Sequence, residues 1–382
     1  MMTVTEWANP VVAHRLQTLG VRLNVDQREV AMHPIHTTRS TLQMTLLLGA
    51  LAMLGCGDGD PDASVDAGVD AVDPEDDSGS SDGVCENTSQ GMSPEHFFAG
   101  SVAEEIVEED CTLTNGVETT CYRVVAAGEP TNHELTTVCP RTIEDEATGF
   151  WNIDGQSVDV DGPFIVSLAT VFDDPSWQMY DPDTGKVFVT ETAEECLAAG
   201  GMPLDPGYAN YCVECTLEHI GGAMTIEYLI PTRPVMADEP TELAQLAPGV
   251  SLNGVQFEFP ADIDTIESGL QIAPIDVCGG HVNFNIGYHY HEELGCIGGV
   301  EQCDGHAALI GYARDGFGIY EMTDENGEEP ADLDPCRGHT DDARGYHYHA
   351  LGVGENAIIG CLSGVPVEGG GGMGPGGGPP GM

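Results

Sequence analysis

Two stretches of this chain carry one histidine pattern. Residues 278–291 read CGGHVNFNIGYHYH and residues 336–349 read CRGHTDDARGYHYH, both C-x-x-H-x5-G-Y-H-Y-H, 58 positions apart. Imidazoles without thiolates suit zinc or copper(II), and three of them around one ion leave a further position open. On a strand, successive side chains point to opposite faces. His289 and His291 would then share one face and Tyr288 and Tyr290 the other, as would His347 and His349 against Tyr346 and Tyr348. Side chains two residues apart root roughly 6–7 Å from one another, so their ring nitrogens can converge. His281 and His339, eight residues before each pair, supply a third imidazole on a loop that a disulfide at Cys278 or Cys336 would fix. Gly287 and Gly345 permit a bend or a close backbone approach. The expected ligands are therefore His281, His289, His291, His339, His347 and His349, with His306 and His133 as further candidates. The alternative is a pair of pseudo-symmetric hairpins whose histidines only hydrogen-bond loop backbone.

A metal-ligating imidazole is usually oriented by a group on its far nitrogen. Asp315, in the turn-like RDGFGIY segment, is the expected outer carboxylate, whereas Asp276, Asp304 and Asp334 read as turn or strand caps. No nucleophile elbow, phosphate loop or dinucleotide fingerprint is present. A metal-dependent hydrolase or oxidase would need an open cleft beside the histidines, and no substrate is indicated, so no enzyme class is assigned.

The elements that must position these rings are mostly strands. Apolar runs at residues 121–127, 164–172, 224–230 and 250–259 are punctuated by Gly, Pro and Asp, and only residues 190–199 look helical, with Thr190 or Thr192 as cap. The expectation is a mainly β, disulfide-stapled single large domain with long loops and an internal pseudo-repeat. Of thirteen cysteines, twelve (Cys85, Cys111, Cys121, Cys139, Cys196, Cys212, Cys215, Cys278, Cys296, Cys303, Cys336 and Cys361) are disulfide candidates, which points to an oxidising compartment. The C-x-x-C of Cys212 and Cys215 is read as two disulfide partners, with neighbours such as Cys196, rather than as a zinc or redox motif.

Cys56 follows a short apolar run at residues 44–53 and has the layout of a lipid-modified cysteine. This implies an exported cell-envelope lipoprotein, or otherwise a secreted protein, touching membrane only through its anchor. The resulting organisation is an over-long start plus leader (1–56), an acidic tether (57–84), an N-terminal extension (85–115), the main domain (116–364) and a Gly/Pro-rich tail (365–382). The tether holds ten acids and no base, too little apolar surface to fold. The whole chain sets 64 acidic against 11 basic residues, a formal charge of −53, which repels nucleic acid and anionic lipid.

Several segments together resemble the YHYH-domain family of bacterial envelope and secreted proteins. These are SLNGVQF (251–257), APIDVCGGH (273–281), GHAALIGYARDGFGIY (305–320), LDPCRGH (333–339), IIGC (358–361) and both GYHYH blocks; the resemblance spans about residues 116–364. Gly318 and Glu321 stand where the family more usually has proline and glycine. The resemblance implies the compartment and the pairing of the two blocks but no activity. The leading expectation is a transition-metal protein, and the alternative is a disulfide-stabilised extracellular module for a protein or glycan.

Overall fold

The computed structural model describes residues 88–370 except Met202, Ala244 and Gln245, plus the backbone of Gly372–Met373. Cys56, Cys85, the expected leader and acidic tether, and the end of the tail lie outside the described residues.

In chain order the strands begin with β1 (Val107–Thr112), β2 (Glu118–Ala126), β3 (Gly149–Ile153) and β4 (Gln156–Val160). Helices α1 (Gly162–Val171) and α2 (Ala193–Ala199) follow, then β5 (Ile226–Pro231), β6 (Met236–Glu242), β7 (Gly249–Ser251) and β8 (Gln256–Phe257). After α3 (Ile263–Ser268) come β9 (Gly280–Asn283), β10 (Gly287–Tyr290), β11 (Leu309–Ala313), β12 (Gly318–Tyr320), β13 (Gly338–Asp341), β14 (Gly345–His349), β15 (Cys361–Gly364) and β16 (Gly372–Met373). The fold is mainly β, as the sequence suggests.

The apolar run at 164–172 is not a strand. It forms most of α1, because Asp161 caps the helix by accepting from Phe164 N and Pro163 occupies its first turn. A continuously apolar run carries no periodicity that could separate a buried strand from a buried helix, so the cap decides. Thr192 caps α2 as expected.

The central feature is an eight-stranded sheet in the order β13-β14-β12-β11-β7-β8-β10-β9. That order is a palindrome of two four-strand units. β11 and β7 pair antiparallel at the centre, Tyr312 opposite Val250, with Gly311 opposite Ser251 and Ala313 opposite Gly249 on either side. Each unit then repeats one plan. A tight turn with a left-handed glycine, Gly254 or Gly316, joins β7 to β8 and β11 to β12. Each of these second strands pairs parallel with the Y-H-Y-H strand, which pairs antiparallel with the edge strand carrying the preceding histidine.

The tyrosine face of this sheet packs into a core with Phe257, Phe317, Ile310, Ile358 and Leu362. On the other side, Val250, Leu309 and Tyr312 meet Val124, Ile226 and Ile230 of the sheet β1-β2-β5-β16. A third core joins the β3–β4 hairpin to α1 through Trp151, Val158, Phe164 and Leu168.

Five disulfides close loops: Cys111–Cys121, Cys139–Cys212, Cys196–Cys215, Cys278–Cys296 and Cys336–Cys361. Cys303 is disulfide-bonded too. Cys278 and Cys336 occupy matching places in the two units, each pinning the loop before its edge-strand histidine. No helix among the described residues is long and apolar enough to cross a membrane.

Candidate metal centres

Within each unit the edge-strand histidine lies directly across from the first histidine of the motif: His281 opposite His289, and His339 opposite His347. Gly287 and Gly345 adopt φ of 80° and 65°, a left-handed conformation that strains a side chain with a Cβ. This turns their carbonyls onto the ring two residues later, His289 Nδ1 to Gly287 O at 3.0 Å and His347 Nδ1 to Gly345 O at 2.9 Å.

The remaining rings are held the same way. Nδ1 of His281 meets Pro274 O (3.0 Å), that of His306 meets Ala307 O (3.0 Å), that of His349 meets Glu321 O (2.8 Å) and that of His339 meets Asp332 Oδ1 (2.9 Å). A carbonyl or carboxylate oxygen can only accept, so each of these nitrogens donates and carries the ring's proton. The lone pair is thereby placed on Nε2. For His291 the matching backbone group is that of Phe259, which favours the ring's proton without reaching hydrogen-bond geometry at Nδ1.

The nitrogens so freed converge in two groups, His281–His289–His291 and His306–His339–His347–His349, each with its ligand atoms within 4.8 Å of one another. The groups sit on the second-from-edge strands at opposite ends of the sheet, about 24 Å apart at one strand spacing per step. They are two centres and not one. In the first, Nε2 of His289 lies 3.1 Å from Nε2 of His291. In the second, Nε2 of His347 lies 3.0 Å from that of His306 and 3.0 Å from that of His339. His349 Nε2 is buried with no hydrogen-bond partner.

In the second group both rings of each such pair carry their proton on Nδ1, and two facing lone pairs repel unless a cation stands between them. A proton is disfavoured as that cation, because burial lowers the pKa of His281, His289 and His306, and pushes His291 to about 3, His347 to about 4 and His349 to about 2. Ligands about 2.0–2.1 Å from one tetrahedral ion stand about 3.3 Å apart. The donor set and its spacing could therefore hold a metal ion, and the far-nitrogen acceptors are those that metal-bound histidines use.

The tyrosine face is built for rigidity. Tyr288 OH bonds both oxygens of Asp276 (3.1 and 3.0 Å), and Tyr346 OH bonds Asp334 Oδ2 (2.9 Å). The same two aspartates cap their turns, accepting from Cys278 and Gly280 N and from Cys336 and Gly338 N. The repeated unit is thus D-x-C-x-G-H-x5-G-Y-H-Y-H, and its aspartate, visible in the sequence at a fixed spacing, both caps the turn and anchors a tyrosine.

Other candidates fall differently. His306 joins the second group. His133 stays outside both, on the tyrosine side, with Nε2 2.6 Å from Tyr290 OH. Asp315 touches no histidine. It is fully buried, accepts from Tyr348 OH (2.5 Å) and Gly364 N (2.8 Å), and burial pushes its carboxyl up to about 6. The carboxylate that does orient a ring is Asp332, half a loop away and mostly exposed. Asp304 is engaged by Arg344.

No curated protein and no solved structure matches this chain. A family model described as YHYH protein matches residues 227–330, a segment holding the whole first motif and ending before the second. The chain therefore carries a YHYH domain, and the unit in β13 and β14 is a second copy of its motif beyond the matched segment.

Proposed function

We propose that this protein binds two transition-metal ions, zinc or copper(II), one at each histidine group, outside the cytoplasm. One observation carries the reading: six of the seven rings give their Nδ1 proton to an oxygen acceptor on the far side, so that in the second group Nε2 lone pairs face one another at 3.0 Å. A structural role that used the histidines only to tie down loop backbone would not require those lone pairs to meet. The disulfides favour an oxidising compartment, and the leader-like start with Cys56 favours export and lipid anchoring.

Elemental analysis of purified full-length protein tests this. Two equivalents of metal are expected. His289→Ala with His291→Ala should remove one, and His347→Ala with His349→Ala the other. Retention of less than about half an equivalent after incubation with zinc or copper(II), unchanged by either double substitution, defeats the reading. Metal removal by a chelator should lower the melting temperature by about 10 °C, since ions bound far above their dissociation constants contribute about 4 kcal/mol.

A further inference from the structure

The two centres differ in what completes them. Around the second, four imidazole nitrogens are enough for a closed tetrahedral set. Around the first there are three, and no histidine lies between His219 and His281 to play the part of His306. Beside this group, His281 and His291 instead wall a cavity of about 20 Å³, together with Trp151, Asn152, Ile275 and Asn356. A water molecule needs about 10–15 Å³ by this measure, so the space admits one small ligand.

Asn152 gives that space its chemistry. The side chain is more than nine-tenths buried, and its Nδ2 donates to Glu292 Oε1 at 2.6 Å. Glu292, itself buried, is fixed by Gly354 N (3.1 Å) and Asn356 N (3.3 Å). A carboxylate can face only the NH2 end of the amide, which settles the orientation of Asn152 and leaves its Oδ1 buried without a partner. An orphaned buried acceptor costs about 1–3 kcal/mol, and beside a three-nitrogen centre a ligand that donates a hydrogen bond relieves it. Asn152 and Asn356 also line a groove of about 390 Å³ together with Asp154, Asp264, Glu267 and Glu355. The groove shares Asn152 and Asn356 with the cavity, and its acidic lining favours a cation.

We propose that the His281–His289–His291 centre carries an exchangeable protic fourth ligand, water in the resting protein, held by Asn152 Oδ1, whereas the four-histidine centre takes none. The proposal rests on the metal-binding reading above. Asn152 is a positioning residue here, acting on the ligand and not on the metal.

Full-length protein loaded with cobalt(II) and titrated with azide, followed by visible absorption, tests it. Two cobalt ions should bind and one should respond. The response should vanish in His289→Ala and persist in His347→Ala. Asn152→Ala should still bind two cobalt ions but take up azide about fivefold more tightly, because the water that azide displaces has lost one hydrogen bond. If both ions or neither respond, or if Asn152→Ala leaves azide affinity unchanged, this proposal falls while metal binding stands. If no cobalt binds, both fall.

Discussion

The two ends of the eight-stranded sheet share a plan but not a composition. Both have the turn-capping aspartate, the pinned cysteine, the left-handed glycine and the alternating tyrosines and histidines. At the β14 end, His306 from the segment before β11 supplies a fourth nitrogen, and Tyr320 packs its ring against His306, His347 and His349. At the β10 end the residue matching Tyr320 in the strand pairing is Glu258, and a cavity lined by His281, His291 and Asn152, whose amide oxygen is orphaned, adjoins the three rings. The backbone plan fixes three donors. Whether the centre closes is decided by one residue outside the repeat.

Acid should break the comparison most strongly, by disabling both ends together. Burial lowers the pKa of His281, His289, His291, His306, His347 and His349 in the folded protein, so the unfolded chain binds more protons once pH falls below about 6.5. Stability is therefore full above that pH and is lost as pH drops towards the folded values. For His347, with a folded value of about 4, the loss is about 3 kcal/mol by the bottom of that window. Denaturant unfolding of metal-free protein between pH 7 and 4 should show this fall. Stability that stays flat across the interval would mean that the rings are already protonated or exposed.

His306→Ala should convert the closed end into a likeness of the open one. Three nitrogens remain, and affinity there should fall by about 100-fold or more, because loss of even an outer partner costs about 10- to 100-fold. Competition with a chromogenic chelator reads this directly. The first centre should keep its affinity, and cobalt at the altered centre should gain azide sensitivity. An unchanged chelator titration would show that His306 contributes no donor.

How much of this was legible in advance divides along physical lines. The histidines and tyrosines announce themselves because a strand's two-residue period turns Y-H-Y-H directly into two faces. Asp315 misleads because a buried carboxylate beside the motif can serve either face, and Tyr348 OH claims it. His306, in the sequence only a further candidate, and Asp332, not marked there at all, reach the second centre across loops, and loop closure leaves no periodic trace. The α1 segment was hidden by its uniform apolarity, with Asp161 and Pro163 the only signals that could have overruled a strand.

Asp315→Asn sharpens the contrast on the tyrosine face, since the matching turn of the first unit already has an amide. There Asn253 Nδ2 donates to Tyr290 OH at 2.9 Å, while Asp315 accepts from Tyr348 OH and from the backbone. The substitution keeps the shape but costs acceptor capacity in a dry site, about 2 kcal/mol. Thermal unfolding should register it, with metal content still two. A lost metal equivalent would place Asp315 in the metal centre after all.

The smallest expected effect separates the outer partners of the two edge histidines. His281 gives its Nδ1 proton to the neutral carbonyl of Pro274, whereas His339 gives its proton to the carboxylate of Asp332, whose side chain is 72% exposed. An exposed charge adds only a fraction of a kcal/mol, so Asp332→Asn should weaken metal at the four-histidine centre about threefold and leave the other centre alone. The charge acts through screened solvent, so the difference should shrink as salt is raised from 0.01 M towards 1 M. Chelator competition at the two salt concentrations reads both points. A threefold loss that persists at high salt would assign the role of Asp332 to ring orientation instead of charge, the role that Pro274 already plays for His281.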